Sequence, residues 1–408
     1  MELTKEEQKM FDGEYGEGTQ ISMEILVALG KIYNAENMIP VTSVQVAGVS
    51  YKTIGDAGLE YIQEMKSKGA RTRVPTFLNP AGMDREQWKE MGVPEHFAKK
   101  QIEIFEAYEG MGISPTYTCT PYLIGIRPKL GEHIAWSESS AIAFANSVLG
   151  ARTNREGGPS ALAAGICGVT PNYGLHLDSE RKAKYEFEIA EDIKFEDRSD
   201  FGLFGLKAGV LVKNNYPAFK NMKKSGSQIN EDDLKYLGAA MAAAGSVPLF
   251  FAKDVTPEYN LSDDVEKITI TKKDLDEVRE QIGPDKVAEL IATGCPHASL
   301  KEIEEIVNLL KEGKKLKSKL WIYCARPIRK QAEEKGYLKI IEDAGGRIVA
   351  DTCMVVSPIE ESIKGTISVN SGKAAKYVPT MCKRDVCFGR LADLIKKSKE
   401  GEQWLKVE

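Results

Sequence analysis

Gly294-Cys295-Pro296-His297 sets a cysteine between an apolar run that starts at Val287 and a strongly periodic stretch, 300–310, a pattern that reads as strand, turn, helix. Glycine permits the sharp turn, while Pro296 and Ser299 suit the start of a helix, where free N–H groups and the helix dipole favour a negative group. A thiolate at Cys295 is therefore expected to be partly stabilised before any metal arrives. Two further apolar runs, 319–325 and 347–353, follow at regular distance and carry Cys324 and Cys353 at or near their ends. Thiolates are soft ligands, so cysteines brought together from separate strands could hold a metal centre without any local motif.

Other reactive residues also lie at turns. Gly48-Val49-Ser50 ends an alternating run, 41–47, ahead of a helix near 54–68, and such a turn can offer backbone N–H groups to an anion or serve as an ordinary βα loop. Asn79-Pro80-Ala81-Gly82 follows the apolar run 73–78, and Asn79 can donate its amide to a substrate oxygen or close an Asx-turn. Glu138 and Ser139 precede an alanine-rich helix, 141–149, where they cap the helix or face a cleft as substrate ligand and acid–base group. Arg152 and Arg155 stand in a polar, glycine-ended loop that suits carboxylates, phosphates or neighbouring acids. Lys373 sits in a Gly-Lys turn between a strand and a helix start; the Walker spacing is missing, yet the lysine can neutralise one anionic group. Cys119 occupies the middle of 114–122, β-branched and aromatic residues bracketed by prolines, which reads as a short strand near an edge or a site. On that segment alone, Cys119 is as well explained as a small apolar filler.

The elements that position these residues alternate strand with helix. That order implies right-handed crossovers and a parallel sheet whose C-terminal ends share one edge, where ligands bind in open α/β sheets. A chain of 408 residues can bury a large core and should form more than one lobe, with approximate extents 1–120, 121–270 and 271–400. A net charge of −5 with both signs interspersed gives no reason to expect nucleic acid. No apolar run is long enough to span a bilayer, and the charged start Met1-Glu2-Leu3-Thr4-Lys5 is unlike a signal peptide, so a cytoplasmic protein is expected. Seven cysteines, an odd number without any Cys-x-x-Cys, argue for reduced thiols against a disulfide framework, a zinc ribbon or ordinary ferredoxin spacing. Cys167, Cys382 and Cys387 read as packing thiols. The charged stretch 175–199 reads as a surface excursion, 236–246 as a closely packed helix before a strand at 247–251, and the lysine run 311–319 as a helix end.

Gly48-Val49-Ser50, Asn79-Pro80-Ala81-Gly82, Tyr117-Thr118-Cys119, Glu138-Ser139, Gly150-Ala151-Arg152-Thr153-Asn154-Arg155-Glu156-Gly157-Gly158, Gly294-Cys295-Pro296-His297, Asp351-Thr352-Cys353 and Asn370-Ser371-Gly372-Lys373 together resemble the large subunit of aconitase X, in order and over nearly the whole chain. The resemblance is to the archaeal type. It implies an aconitase-like multi-lobed α/β fold, with parallel or mixed sheets flanked by helices and the site at strand C-terminal ends. It further implies a [4Fe-4S] cluster on Cys119, Cys295 and Cys353, whose one iron without a cysteine acts as Lewis acid on a departing hydroxyl. The implied reaction is dehydration of (R)-5-phosphomevalonate to trans-anhydromevalonate 5-phosphate in the mevalonate pathway to isoprenoids. Gly48, Val49, Ser50, Asn79, Pro80, Glu138, Ser139 and Lys373 are the implied substrate contacts, with Glu138 and Ser139 as catalytic candidates. Because the chain stops soon after Lys406, the resemblance implies that the swivelling domain and its catalytic base sit on a separate small subunit. Dehydration of cis-3-hydroxy-L-proline and a non-catalytic iron–sulfur sensor are the competing expectations. Local reasoning leaves Cys324 open as a ligand, and His297 open as a hydrogen-bond donor near the thiols.

Overall fold

The structure, a computed structural model, describes residues 1–225, 229–283, 288–311 and 315–400. Because helices separate the short apolar runs, most runs pair in parallel through crossovers. After β1 (Met38–Pro40), the strands β2 (Val44–Val46), β3 (Thr76–Leu78) and β4 (Ala135–Trp136) form a parallel sheet with β2 in the middle, and β5 (Val169–Pro171) returns antiparallel to β1. The strands β6 (Ala183–Ile189), β7 (Pro217–Phe219), β8 (Phe251–Ala252) and β9 (Leu261–Ile270) follow in a parallel sheet of order β8-β7-β6-β9. The last sheet contains β10 (Leu290–Thr293), β11 (Lys319–Cys324), β12 (Gly346–Ala350), β13 (Ile367–Val369) and β14 (Val386–Phe388), all parallel, in the order β12-β11-β10-β13-β14. The three runs ending near Cys295, Cys324 and Cys353 are thus strands of one parallel sheet, as alternation with helices implies, and they lie side by side. Val287, where the first of these runs was expected to start, lies outside the described residues, as does the middle of the lysine run 311–319.

Three expectations fail for physical reasons. The strand expected at 247–251 is confined to Phe251–Ala252, since Pro248 lacks the N–H a ladder needs. The stretch 175–199 is no surface excursion: β6 is an inner strand whose Ala183, Phe187 and Ile189 are buried while Lys184 and Glu188 face outward. Charges at alternate positions hide a period of two behind an apparently polar composition. The stretch 114–122 is no strand. Pro115 and Pro121 lack the N–H a ladder needs and Tyr117 has φ +43, so the chain makes only an isolated bridge from Ser114 to Phe77 before a short 3-10 turn at Pro121–Ile124.

One apolar core joins the first and last sheets, with Val44, Val46 and Leu78 packed in the same cluster as Leu290, Ala292 and Val369. Their connecting turns also meet, since Ala81 N–H donates to the Asp351 carbonyl at 2.8 Å. A second core surrounds Phe187, Phe204, Phe219 and Phe250. There the helices Arg198–Val212 and Glu231–Gly245 approach so closely that a Cβ on Gly245 would lie 2.0 Å from the Gly209 carbonyl oxygen. Gly202 likewise admits the helix Gly372–Tyr377, where a Cβ on Gly372 would lie 2.6 Å from the Gly202 oxygen. That contact anchors the turn carrying Lys373. Among the described residues no helix is long and apolar enough to cross a membrane.

Candidate active site

The turn after β10 is forced by Gly294, at φ +89, where a Cβ would fall 2.1 Å from the Tyr323 carbonyl oxygen. Only glycine fits there, and the chain then swings Cys295 toward the first sheet before Ser299 caps the helix Leu300–Leu310 in a capping box with Glu302. The Cys295–Pro296 peptide is cis. Ser371, from the turn after β13, donates its hydroxyl to the Cys295 carbonyl. Beyond β12, Asp351 adopts φ +63 and its carboxylate takes hydrogen bonds from Arg326 Nε and Nη2 at 3.0 and 2.5 Å, which fixes the approach to Cys353. Cys119 is placed by its neighbour: Thr118 N–H donates to the Leu78 carbonyl at 3.0 Å, and Gln45 Nε2 donates to the Thr118 carbonyl at 3.0 Å.

These three segments deliver Cys119, Cys295 and Cys353 to the wall of one cavity of about 200 Å³, which Asn79, Pro80, Glu138, Ser139 and Lys373 also line. Among the described residues no three His, Cys, Asp or Glu side chains gather tightly enough to chelate a single ion. The thiols are spaced around the wall instead. The expectation of a stabilised thiolate at Cys295 fails, because the helix starts only at Leu300 and burial dominates. Burial pushes the Cys119 thiol up to about 12 and raises Cys295 and Cys353 as well, so all three are protonated at neutral pH until a cationic group compensates their charge.

Glu138 and Lys373 form a buried ion pair. Burial opposes ionisation of Glu138, but the Lys373 charge, an Asn79 Nδ2 donor at 2.8 Å and the Ser140 N–H outweigh it and hold the carboxyl below its ordinary range. Burial likewise works against the Lys373 ammonium, and the Glu138 carboxylate overcomes it. Since a carboxylate only accepts, Asn79 must turn its nitrogen to Glu138, which leaves Asn79 Oδ1 buried without a partner. Ser139 Oγ lies 3.4 Å from Glu138 Oε1, and Ser140 Oγ bonds both Glu138, at 3.0 Å, and Lys373, at 3.2 Å.

Gly48, Val49 and Ser50 stand one layer behind this wall. Ser50 Oγ donates to the carbonyl of the wall residue Val356 at 2.7 Å, Gln101 Nε2 holds the Val49 carbonyl at 2.7 Å, and the Tyr108 hydroxyl holds that of Gly48 at 3.1 Å. Arg152 is committed to Glu258 and Asp178, and Arg155 to the Ser246 carbonyl, so neither reaches the cavity. Cys324 packs in a separate apolar cluster with Ile303 and Ile322. Val355, Val356, Tyr377 and Met381, which sequence reasoning passed over, supply the apolar wall. Their only signal was position: two follow Cys353 closely, and two stand four and eight residues beyond Lys373.

His297 is fully buried at the centre of the thiol segments. Its backbone N–H donates to Cys119 Sγ at 3.2 Å, Nδ1 lies 3.0 Å from Thr118 Oγ1, and Nε2 lies 2.9 Å from the Thr352 carbonyl oxygen. Burial lowers its pKa to about 4. The ring is therefore neutral at pH 7: the carbonyl can only accept, so Nε2 carries the proton and Nδ1 accepts from Thr118.

Family models for the aconitase X first, second and third domains match residues 1–179, 168–280 and 288–400. The phosphomevalonate dehydratase large subunit of Methanocaldococcus jannaschii is 49% identical, over 97% of this chain and 100% of its own length. The crystal structure of Thermococcus kodakaraensis aconitase X in its holo-form superposes with a TM-score of 0.90 at 47% identity, covering 98% of this chain and 100% of that one. The cis-3-hydroxy-L-proline dehydratase of Pseudomonas aeruginosa is more distant, 32% identical over 97% of this chain and 69% of its own length.

Proposed function

The chain belongs to the aconitase X family, and from that premise we propose that it is the large subunit of a [4Fe-4S]-dependent hydro-lyase that dehydrates (R)-5-phosphomevalonate to trans-anhydromevalonate 5-phosphate. The observation that carries this reading is the meeting of Cys119, Cys295 and Cys353, from three separate segments, on one cavity that also holds the Glu138–Lys373 pair. An all-thiol donor set suits iron–sulfur clusters, and thiols spread around a wall suit a group of several atoms better than one ion. When bound, the cluster supplies a Lewis-acidic iron at the position not held by cysteine.

Loss of water from a 3-hydroxy acid takes a proton from C2 and hydroxide from C3. Asn79 Oδ1 is a buried acceptor in want of a donor, which a substrate hydroxyl provides. The Lys373 ammonium, with Glu138 as its counter-ion, orients an anionic end of the substrate, and Ser139 adds a hydroxyl beside it. Val355, Val356, Tyr377 and Met381 exclude water from the reacting carbons. Glu138 is already committed to Lys373, Asn79 and Ser140, so the group that removes the C2 proton comes from a small subunit carrying the swivelling domain. The unbridged thiols of Cys119, Cys295 and Cys353 accord with a reducing cytoplasm.

Co-expression with the small subunit and an ultraviolet assay for the α,β-unsaturated acid tests this. Phosphomevalonate should be turned over, cis-3-hydroxy-L-proline should not, and the large chain alone should be inactive. Turnover of hydroxyproline in place of phosphomevalonate, or a complex that binds iron but dehydrates neither, overturns the substrate or the enzyme reading respectively.

A further inference from the structure

We propose that His297 is the positioning residue of the thiol site: its imidazole, bonded to Thr118 on one side and to Thr352 on the other, fixes the separation of Cys119 and Cys353 before any metal is present. Thr118 directly precedes Cys119, Thr352 directly precedes Cys353, and His297 itself follows Cys295 by two residues. One ring therefore links all three thiol-bearing segments, at 3.0 Å to Thr118 Oγ1 and 2.9 Å to the Thr352 carbonyl.

The ring has no freedom to shift. The His297 backbone N–H is spent on Cys119 Sγ at 3.2 Å, and its carbonyl accepts from Lys235 Nζ at 3.2 Å. Lys235 is itself fully buried and paired with Glu302 and with Asp232, the latter at 3.0 Å. All four polar atoms of His297 thus have partners, on four different residues. An apolar side chain would fill the same volume, but only a rigid group with polar atoms at both ends can hold two segments a set distance apart. Outer-sphere groups of this kind orient metal ligands and decide how firmly the metal is kept. The ordering of the three segments is then completed during folding and is not left to cluster binding.

This inference rests on the cluster reading, and its test separates the two. The full chain and its His297→Phe, His297→Gln, Thr118→Val and His176→Phe variants are loaded anaerobically with iron and sulfide. For each, thermal unfolding checks the fold. Iron content, the rate at which a chelator strips iron, and the electron paramagnetic resonance spectrum of the reduced cluster are then measured. Expected is a loss of iron from His297→Phe roughly tenfold faster than from wild type or more, with an altered spectrum. Gln, which keeps a donor and an acceptor, recovers part of the retention, and Thr118→Val falls between wild type and Phe. His176→Phe removes another buried imidazole that does not line the cavity, and should retain its cluster like wild type. A folded His297→Phe chain with wild-type retention and spectrum makes the imidazole a filler and overturns the proposal. Should that variant not fold, wild-type retention in Thr118→Val overturns it equally. A wild type that takes up no iron sinks the cluster reading itself.

Discussion

Lys373 and Glu138 are each worth little to the fold as a pair and much as a broken one. Their desolvation roughly offsets their attraction, whereas a lone buried charge has nothing to offset it. With Lys373 removed, Glu138 keeps the Asn79, Ser139 and Ser140 donors but loses its counter-charge in a largely buried position, so its carboxyl rises. Lys373→Met should therefore cost about 3–5 kcal/mol in urea unfolding, and adding Glu138→Gln should restore most of it. Both chains should fail to turn over phosphomevalonate, because the anion-orienting ammonium is gone in each. A single mutant as stable as wild type contradicts the buried pair.

The turn after β10 shows how an element carries the site. Gly294 combines a left-handed backbone with a carbonyl in the space a Cβ would need, whereas Gly336, at φ +74, has nothing within 4 Å of that position. Gly336→Ala should thus lose only the conformational part, about 1–3 kcal/mol. Gly294→Ala should lose more than this, and should release the cluster too, because β10 and β11 must part to admit the methyl. Equal shifts in unfolding midpoint would contradict this account. Much at this scale was legible in advance: the runs ending near Cys295, Cys324 and Cys353 announce strands of one parallel sheet, with their C-terminal ends on one edge, through alternation alone. Which of those cysteines faces the cavity was not legible. Cys324 ends β11 in the other apolar layer, while Cys295 and Cys353 lie beyond their strand ends, on turns set by Gly294 and Asp351. The site's remaining thiol was harder still, since Cys119 lies on an irregular stretch held by Thr118 and Gln45, with no periodicity to read. Only the family resemblance singled it out.

Across the whole molecule, two buried neutral histidines make the chain sensitive to acid. Burial lowers His297 to about 4 and His176 to about 3, against an ordinary 6.5. Below pH 6.5 the unfolded chain binds protons that the folded chain refuses, so their contribution is present above that pH and lost as pH falls toward the folded values. Each adds up to about 1.4 kcal/mol per pH unit to the slope. His133, in contact with His176, is lowered by burial as well, so His176→Phe should remove part of the histidine share between pH 6.5 and about 5, which unfolding titrations read directly, and an unchanged slope would contradict it. The cavity itself is a property of the whole chain, because the first and last sheets share one core, and its thiols come from the irregular stretch beside the first sheet and from turns after two strands of the last. The most direct test is an anaerobic count of iron and sulfide per chain in wild type and in Cys119→Ser, Cys295→Ser, Cys353→Ser and Cys324→Ser. About four of each are expected in wild type and in Cys324→Ser, with marked loss in the other three. Iron unchanged in any of those three, or lost with Cys324 alone, would contradict the account.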